Sequence, residues 1–167
     1  MAVRQKHSAG ILMWNRNGGT LRVLLVHPGG PYWAKKDKGA WTIPKGEYDP
    51  HEFGESEAAM AKAALAAARR EFCEETGHDL SGEPDSAFKL LGAVKQKAGK
   101  IVTAFAYEGD LDAANIVSNT FEIEWPPRSG KRKTFPEVDR AEWFEVEEAR
   151  ERINEGQTVL LTSLNKY

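Results

Sequence analysis

Three carboxylates fall within five positions in the run Arg70-Glu71-Phe72-Cys73-Glu74-Glu75-Thr76-Gly77. On a helix, residues three and four apart share a face, so Glu71, Glu74 and Glu75 project into one small volume. Like charges at that spacing repel by roughly a few tenths of a kcal/mol per pair. They also lie near the helix C-terminus, where the macrodipole disfavours negative charge. Arg70 can bridge to the acids, but one arginine does not balance three. A hard divalent cation such as Mg²⁺ does, because it takes carboxylate oxygens and keeps water and substrate phosphate oxygens in its remaining positions. It also lowers the pKa of a bound water and neutralises charge developing on a phosphoryl group. The plainer alternative is a solvated acidic face.

The elements that position these acids are legible around them. Residues 57 to 75, EAAMAKAALAAARREFCEE, contain no Gly or Pro and are rich in strong helix formers. Ser56 is the expected N-cap, and Gly77 suits a left-handed C-terminal cap. Two apolar runs, 8 to 15 and 20 to 28, flank Asn17-Gly18-Gly19 and read as a β-hairpin. Trp41 to Ile43 is a short strand candidate before Pro44-Lys45-Gly46, and residues 47 to 56 should be irregular. Further strands are expected at 88 to 96, 100 to 109, 121 to 125 and 141 to 146, with a second helix over 147 to 156. Between the last two strands the reading is a long polar loop. Mixed strands with two principal helices fit one α/β domain over 1 to 167, its sheet sandwiched between helices.

Composition narrows the classes. The chain has 167 residues, 41% of them apolar, which suffices for one core and argues against two full domains. With 23 Lys+Arg against 25 Asp+Glu the net charge is −2, so no basic field points to a nucleic-acid polymer as partner. No apolar stretch is long enough to span a bilayer, and the start MAVRQKHSAG lacks the pattern of an export signal. A single cysteine, Cys73, suits a reducing cytoplasm. Neighbouring helix positions differ by about 100°, which would turn Cys73 toward the core. The four histidines show no ligand spacing and read as structural or surface residues. Trp33, in a Pro-Tyr-Trp loop, reads as packing that loop down, with base stacking the alternative. The number of subunits is not readable.

The run from Arg70 to Gly77 resembles the right half of the Nudix box, G-x5-E-x7-R-E-U-x-E-E-x-G-U with U bulky and apolar, at every fixed position, with Phe72 at the first U. Ser8-Ala9-Gly10, the approach from Trp41 to Gly46, and AEWFEV followed by Glu147-Glu148-Ala149 are also typical of Nudix domains. The left half departs from the pattern. Between Gly46 and Arg70 lie 23 residues, ten more than the pattern places there, and Lys62 stands where a glutamate should precede Arg70. Either Glu55 or Glu52 takes the place of the first box glutamate. With Glu55, three extra residues fall in the loop and seven in the helix, close to two turns. His78 replaces the final apolar residue.

The resemblance implies a Nudix-type α/β/α sandwich with a mixed sheet. It further implies a pyrophosphohydrolase that cleaves a nucleoside diphosphate linked to another moiety, with Mg²⁺ or Mn²⁺. Glu74 and Glu75 are then metal ligands, Glu71 a ligand or the base, Arg70 the residue that orients them, and the Gly46 carbonyl a further ligand. Lys45 can meet a phosphate. The basic run Arg128-Ser129-Gly130-Lys131-Arg132-Lys133 can close over a polyphosphate, with Arg128, Lys131 and Lys133 as substrate-binding residues, and Lys35 and Lys36 as weaker ones of the same kind. Glu137 is an additional base or ligand candidate. The basic run and the last strand are similar to the branch that hydrolyses dinucleoside polyphosphates and diphosphoinositol polyphosphates. The alternative is a non-catalytic Nudix-fold domain that binds a nucleotide or regulates a partner.

Overall fold

The computed structural model describes residues 5–166; the first four residues of the amino-terminal stretch read above lie outside that range. Strands β1 (His7–Asn17) and β2 (Thr20–Pro28) form the expected hairpin, closed at Asn17↔Thr20. β3 (Lys45–Glu47) pairs antiparallel with the start of β1, setting Ala9 opposite Gly46. β4 (Phe88–Lys95) and β5 (Ile101–Glu108) are antiparallel, while β5 runs parallel to β1. β6 (Thr120–Glu124) and β7 (Arg132–Pro136) make a separate two-stranded sheet, and β8 (Val138–Glu145) returns to the edge beside β2. The main sheet runs β4-β5-β1-β2-β8, with β3 attached to β1.

Both faces of this sheet are covered, so its inner strands are apolar on alternate sides rather than on one. Ala9, Ile11, Met13, Leu24 and Val26 meet α1 (Glu57–Thr76), chiefly Ala64, Ala67, Ala68 and Phe72. Leu12, Val23, Leu25, Trp41, Val102 and Ala104 face the opposite layer. That layer consists of α2 (Val146–Arg152) and α3 (Thr158–Leu164), through Ala149, Leu160, Leu161 and Leu164. The small alanines let α1 approach β1 closely.

Three expectations need correction. Trp41 to Ile43 makes only isolated bridges to Val26 and Ile153, and the strand follows it, over Lys45–Glu47. The helix expected over 147 to 156 ends at Arg152, because the backbone becomes extended at Ile153, and α3 then begins at Thr158. The basic segment before β8 is not one loop, since Arg132–Pro136 pairs with Thr120–Glu124, setting Phe121 opposite Phe135.

Several buried bonds hold the chain that enters β3. Fully buried Gln157 accepts from the Ile43 N–H at 3.1 Å and donates to the Thr42 hydroxyl at 2.9 Å. Buried His27 donates from Nε2 to the Lys36 carbonyl at 2.7 Å, and its Nδ1 lies 2.8 Å from Asp139. A Cβ on Gly10 would come within 2.4 Å of the Pro44 carbonyl, so β1 and this segment lie closer than any other residue there allows. Gln157→Ala leaves the Ile43 N–H unpaired and should lower the unfolding free energy by about 1–3 kcal/mol in urea titration. An unchanged midpoint would show that this amide does not hold the segment.

Candidate active site

The carboxylates are positioned by a helix fixed at both ends. At the N-terminus the Ser56 side chain accepts from the Ala59 N–H at 3.1 Å. At the C-terminus Gly77 takes a left-handed φ of 79° and its N–H donates to the Cys73 carbonyl. The segment 117 to 119 then crosses this end: Val117 N–H donates to Thr76 O at 2.9 Å, and Asn119 N–H donates to Glu74 O at 2.7 Å. These carbonyls would otherwise be unpaired in the last turn.

Glu71 lies against β3, its carboxyl resting on the bare Cα of Gly46. A Cβ there would fall 2.0 Å from the Glu71 carboxyl carbon, so Gly46 is required by what it faces rather than by its own backbone. Glu75 Oε1 accepts from the Lys45 N–H at 3.0 Å. Glu74 is the outer member, with its side chain 36% exposed against 13% for Glu71. Arg70 lies 3.6 Å from Glu71 and 4.0 Å from Glu74, bridging both.

Burial pushes the Glu71 carboxyl up to about 7, assisted by Glu74 and opposed by Arg70. Burial likewise raises Glu75 to about 8, opposed by the Lys45 N–H and ammonium. Lys45 is turned among the acids; its pKa is lowered by burial and by Lys100, and raised by Glu75, Glu47 and Glu71. Glu137 completes the group from the other side, its carboxyl raised by burial and by Glu74. Its backbone is clamped, donating to Asn119 O at 2.8 Å and accepting from the Gly29 N–H at 2.9 Å.

Lys45, Gly46, Arg70, Glu71, Glu74 and Glu75 are thus brought together, and Glu137 joins them. Arg128, Lys131 and Lys133 are not among them. They lie at the far end of the β6–β7 hairpin, where the Ser129 hydroxyl accepts from the Lys131 N–H. Six residues of extended chain, roughly 20 Å, separate Lys131 from Glu137. Neither Glu52 nor Glu55 pairs with Arg70 among the described residues. Both are exposed ahead of the N-cap, and Arg70 lies about 20 Å along the helix. Lys62 lies 4.7 Å over the Phe53 ring, tying the inserted loop to the helix. Trp33 is 38% exposed with Lys36 over its ring, so it is less packed down than expected. Cys73 is not turned into the core: the buried position is Phe72, and one step of helix rotation puts Cys73 on the flank of α1, part exposed.

The NUDIX domain family profile matches residues 4–164. The chain belongs to the Nudix family. As a member it is a pyrophosphohydrolase, acting on acid-anhydride linkages. Among solved structures, this Nudix chain is similar to a NUDIX hydrolase from Alicyclobacillus acidocaldarius, with TM-score 0.64 and 15% identity over 100% of this chain and 94% of that one. It is also similar to an Ap4A hydrolase from C. elegans, with TM-score 0.57 and 20% identity over 96% of each chain. The NUDIX domain of Shewanella oneidensis NrtR, solved with ADP ribose, gives 0.59 at 14% identity over 99% and 89%. At such identities the likeness shows the fold. No curated protein sequence matches the chain. No helix among the described residues is long and apolar enough to cross a membrane.

The raised carboxyls make the metal-free protein pH-sensitive. Glu71 and Glu75 hold protons more tightly folded than unfolded, so the folded state loses stability as pH rises from about 4.5 through about 7 and about 8. In EDTA the thermal midpoint should fall across that window, and Glu75→Gln should flatten the slope. A midpoint that rises with pH there would contradict this electrostatic arrangement.

Proposed function

We propose that this chain hydrolyses the diphosphate linkage of a nucleoside diphosphate joined to another moiety, using a divalent ion, Mg²⁺ or Mn²⁺. The observation that carries this reading is the seating of Glu71 on Gly46, between Glu74 and Glu75. The donor set is all oxygen, which suits a hard cation, and burial and mutual repulsion already drive two of its acids toward protonation. A dication among them would replace those protons. Among the described residues no three acids are already arranged as a metal site, so the carboxylates would have to close on the ion as it binds.

Glu74, Glu75, Glu71 and the Gly46 carbonyl would hold the ion, which when bound neutralises charge on the phosphoryl oxygens and acidifies the attacking water. The water oxygen bonds to one phosphorus, the bridging P–O bond breaks, and a nearby carboxylate takes the water proton. Glu71 and Glu137 are the carboxylates suited to that transfer. Arg70 keeps Glu71 and Glu74 oriented. Lys45 offsets their charge and offers a cation to a phosphate. Arg128, Lys131 and Lys133, roughly 20 Å from the acids, would meet a part of the substrate remote from the scissile linkage, and nucleoside and dinucleoside polyphosphates are the first substrates to screen.

Glu74→Gln removes one anionic ligand from a part-exposed position and should leave the fold intact. Its Mg²⁺-dependent turnover of a nucleotide panel, read as released phosphate or nucleotide, should fall at least 100-fold. Unchanged turnover would remove Glu74 from the chemistry. Nucleotide binding by the unaltered protein without cleavage of any panel member would point instead to a binding domain.

A further inference from the structure

A cleft lies on the flank of α1. The cleft has a volume of about 930 Å³ and runs between α1, the segment 79 to 85 and Phe105 of β5. Its α1 lining extends from Ala61 to Glu74, about 20 Å of helix. Arg70 and Glu74 belong both to this cleft and to the carboxylate group, so the two spaces join. The cleft lies on the β5 side of β1, whereas Glu137 and the β6–β7 hairpin approach from the β2–β8 side.

The lining discriminates between ligands. Its apolar surface comes mainly from Ala61, Leu65, Ala66 and Phe105. Several charged groups of the wall already have partners. Arg69 pairs with Asp85 at 2.6 Å and donates to the carbonyls of Leu80, Ser81 and Glu83. Asp79 accepts from the Ser81 N–H and hydroxyl. Lys62 is stacked on Phe53. Asp79, Glu83 and Asp85 would repel a second phosphate chain. The volume suits a small-molecule arm.

We propose that this cleft receives the non-nucleoside arm of the substrate, and that this arm is an elongated, predominantly apolar group. The inference rests on the diphosphate hydrolysis proposed above. The phosphates stay at Glu71, Glu74 and Glu75, the arm lies along α1 toward Ala61, and the nucleoside remains on the hairpin side.

Two esters of adenosine 5′-diphosphate, octyl and methyl, separate this proposal from the reading beneath it. With Mg²⁺ the octyl ester should show a KM at least tenfold below that of the methyl ester. Ala66→Trp, which fills the cleft, should erase that difference by raising the octyl KM, and Ala58→Trp, outside the cleft on the same helix, should leave both values unchanged. A readout independent of turnover uses Cys73, which lines the cleft and is the chain's one cysteine. With Mg²⁺ and the hydrolysis-resistant α,β-methylene analogues of the two esters, the octyl compound should slow alkylation of Cys73 by N-ethylmaleimide at least fivefold, and the methyl compound should not. Hydrolysis of both esters at equal KM, without protection of Cys73, overturns the cleft assignment and leaves the hydrolytic reading standing. Protection by the octyl analogue with no hydrolysis of either ester supports the cleft and overturns the hydrolytic reading. Neither protection nor hydrolysis overturns both.

Discussion

The structure depends on holding several carboxylates of one helix against a strand that offers almost no side chain. Glu71 can lie on β3 only because Gly46 is a glycine, and Glu75 reaches the backbone N–H of Lys45 only because α1 sits that close. The closeness comes from alanines at 63, 64, 67 and 68, which bury no bulk between α1 and β1. Packing that elsewhere would serve stability alone here forces like charges into a partly dehydrated space. The energetic cost is visible in the raised pKa values of Glu71 and Glu75, and a divalent ion is the species that reverses it.

The rest of the fold holds that arrangement in register. Gln157 and His27 secure the chain ahead of β3 from the opposite layer and from β2, respectively. The segment 117 to 119 covers the C-terminal carbonyls of α1 and also receives the N–H of Glu137. One short stretch therefore sets both the end of the carboxylate-bearing helix and the approach of a fourth acid. The two flanks of α1 are chemically unlike, with acids and a basic hairpin on one and an apolar cleft on the other. A substrate with two unlike ends suits that asymmetry.

Much of this was legible in the residues themselves. The ends of α1 followed from Ser56 and Gly77, and the hairpin followed from its Asn-Gly-Gly turn. The carboxylate face followed from the three-and-four spacing of Glu71, Glu74 and Glu75. Elements stabilised by distant partners were not legible. Arg132–Pro136 carries three basic or polar residues and a proline, and becomes a strand because Phe121 faces Phe135. Residues 45 to 47 are a strand through pairing with Ser8, Ala9 and Gly10. The extended backbone at Ile153, which separates α2 from α3, has no local breaker before Gly156. Glu137 carried only a weak sequence signal; its position comes from backbone bonds to Asn119 and Gly29, which no spacing rule encodes.

The most direct examination of this account is an anomalous difference map from crystals grown with Mn²⁺. One strong peak is expected, bounded by the carboxylates of Glu71, Glu74 and Glu75 and the carbonyl of Gly46. A map with no peak there, while those side chains remain packed against β3, would contradict it.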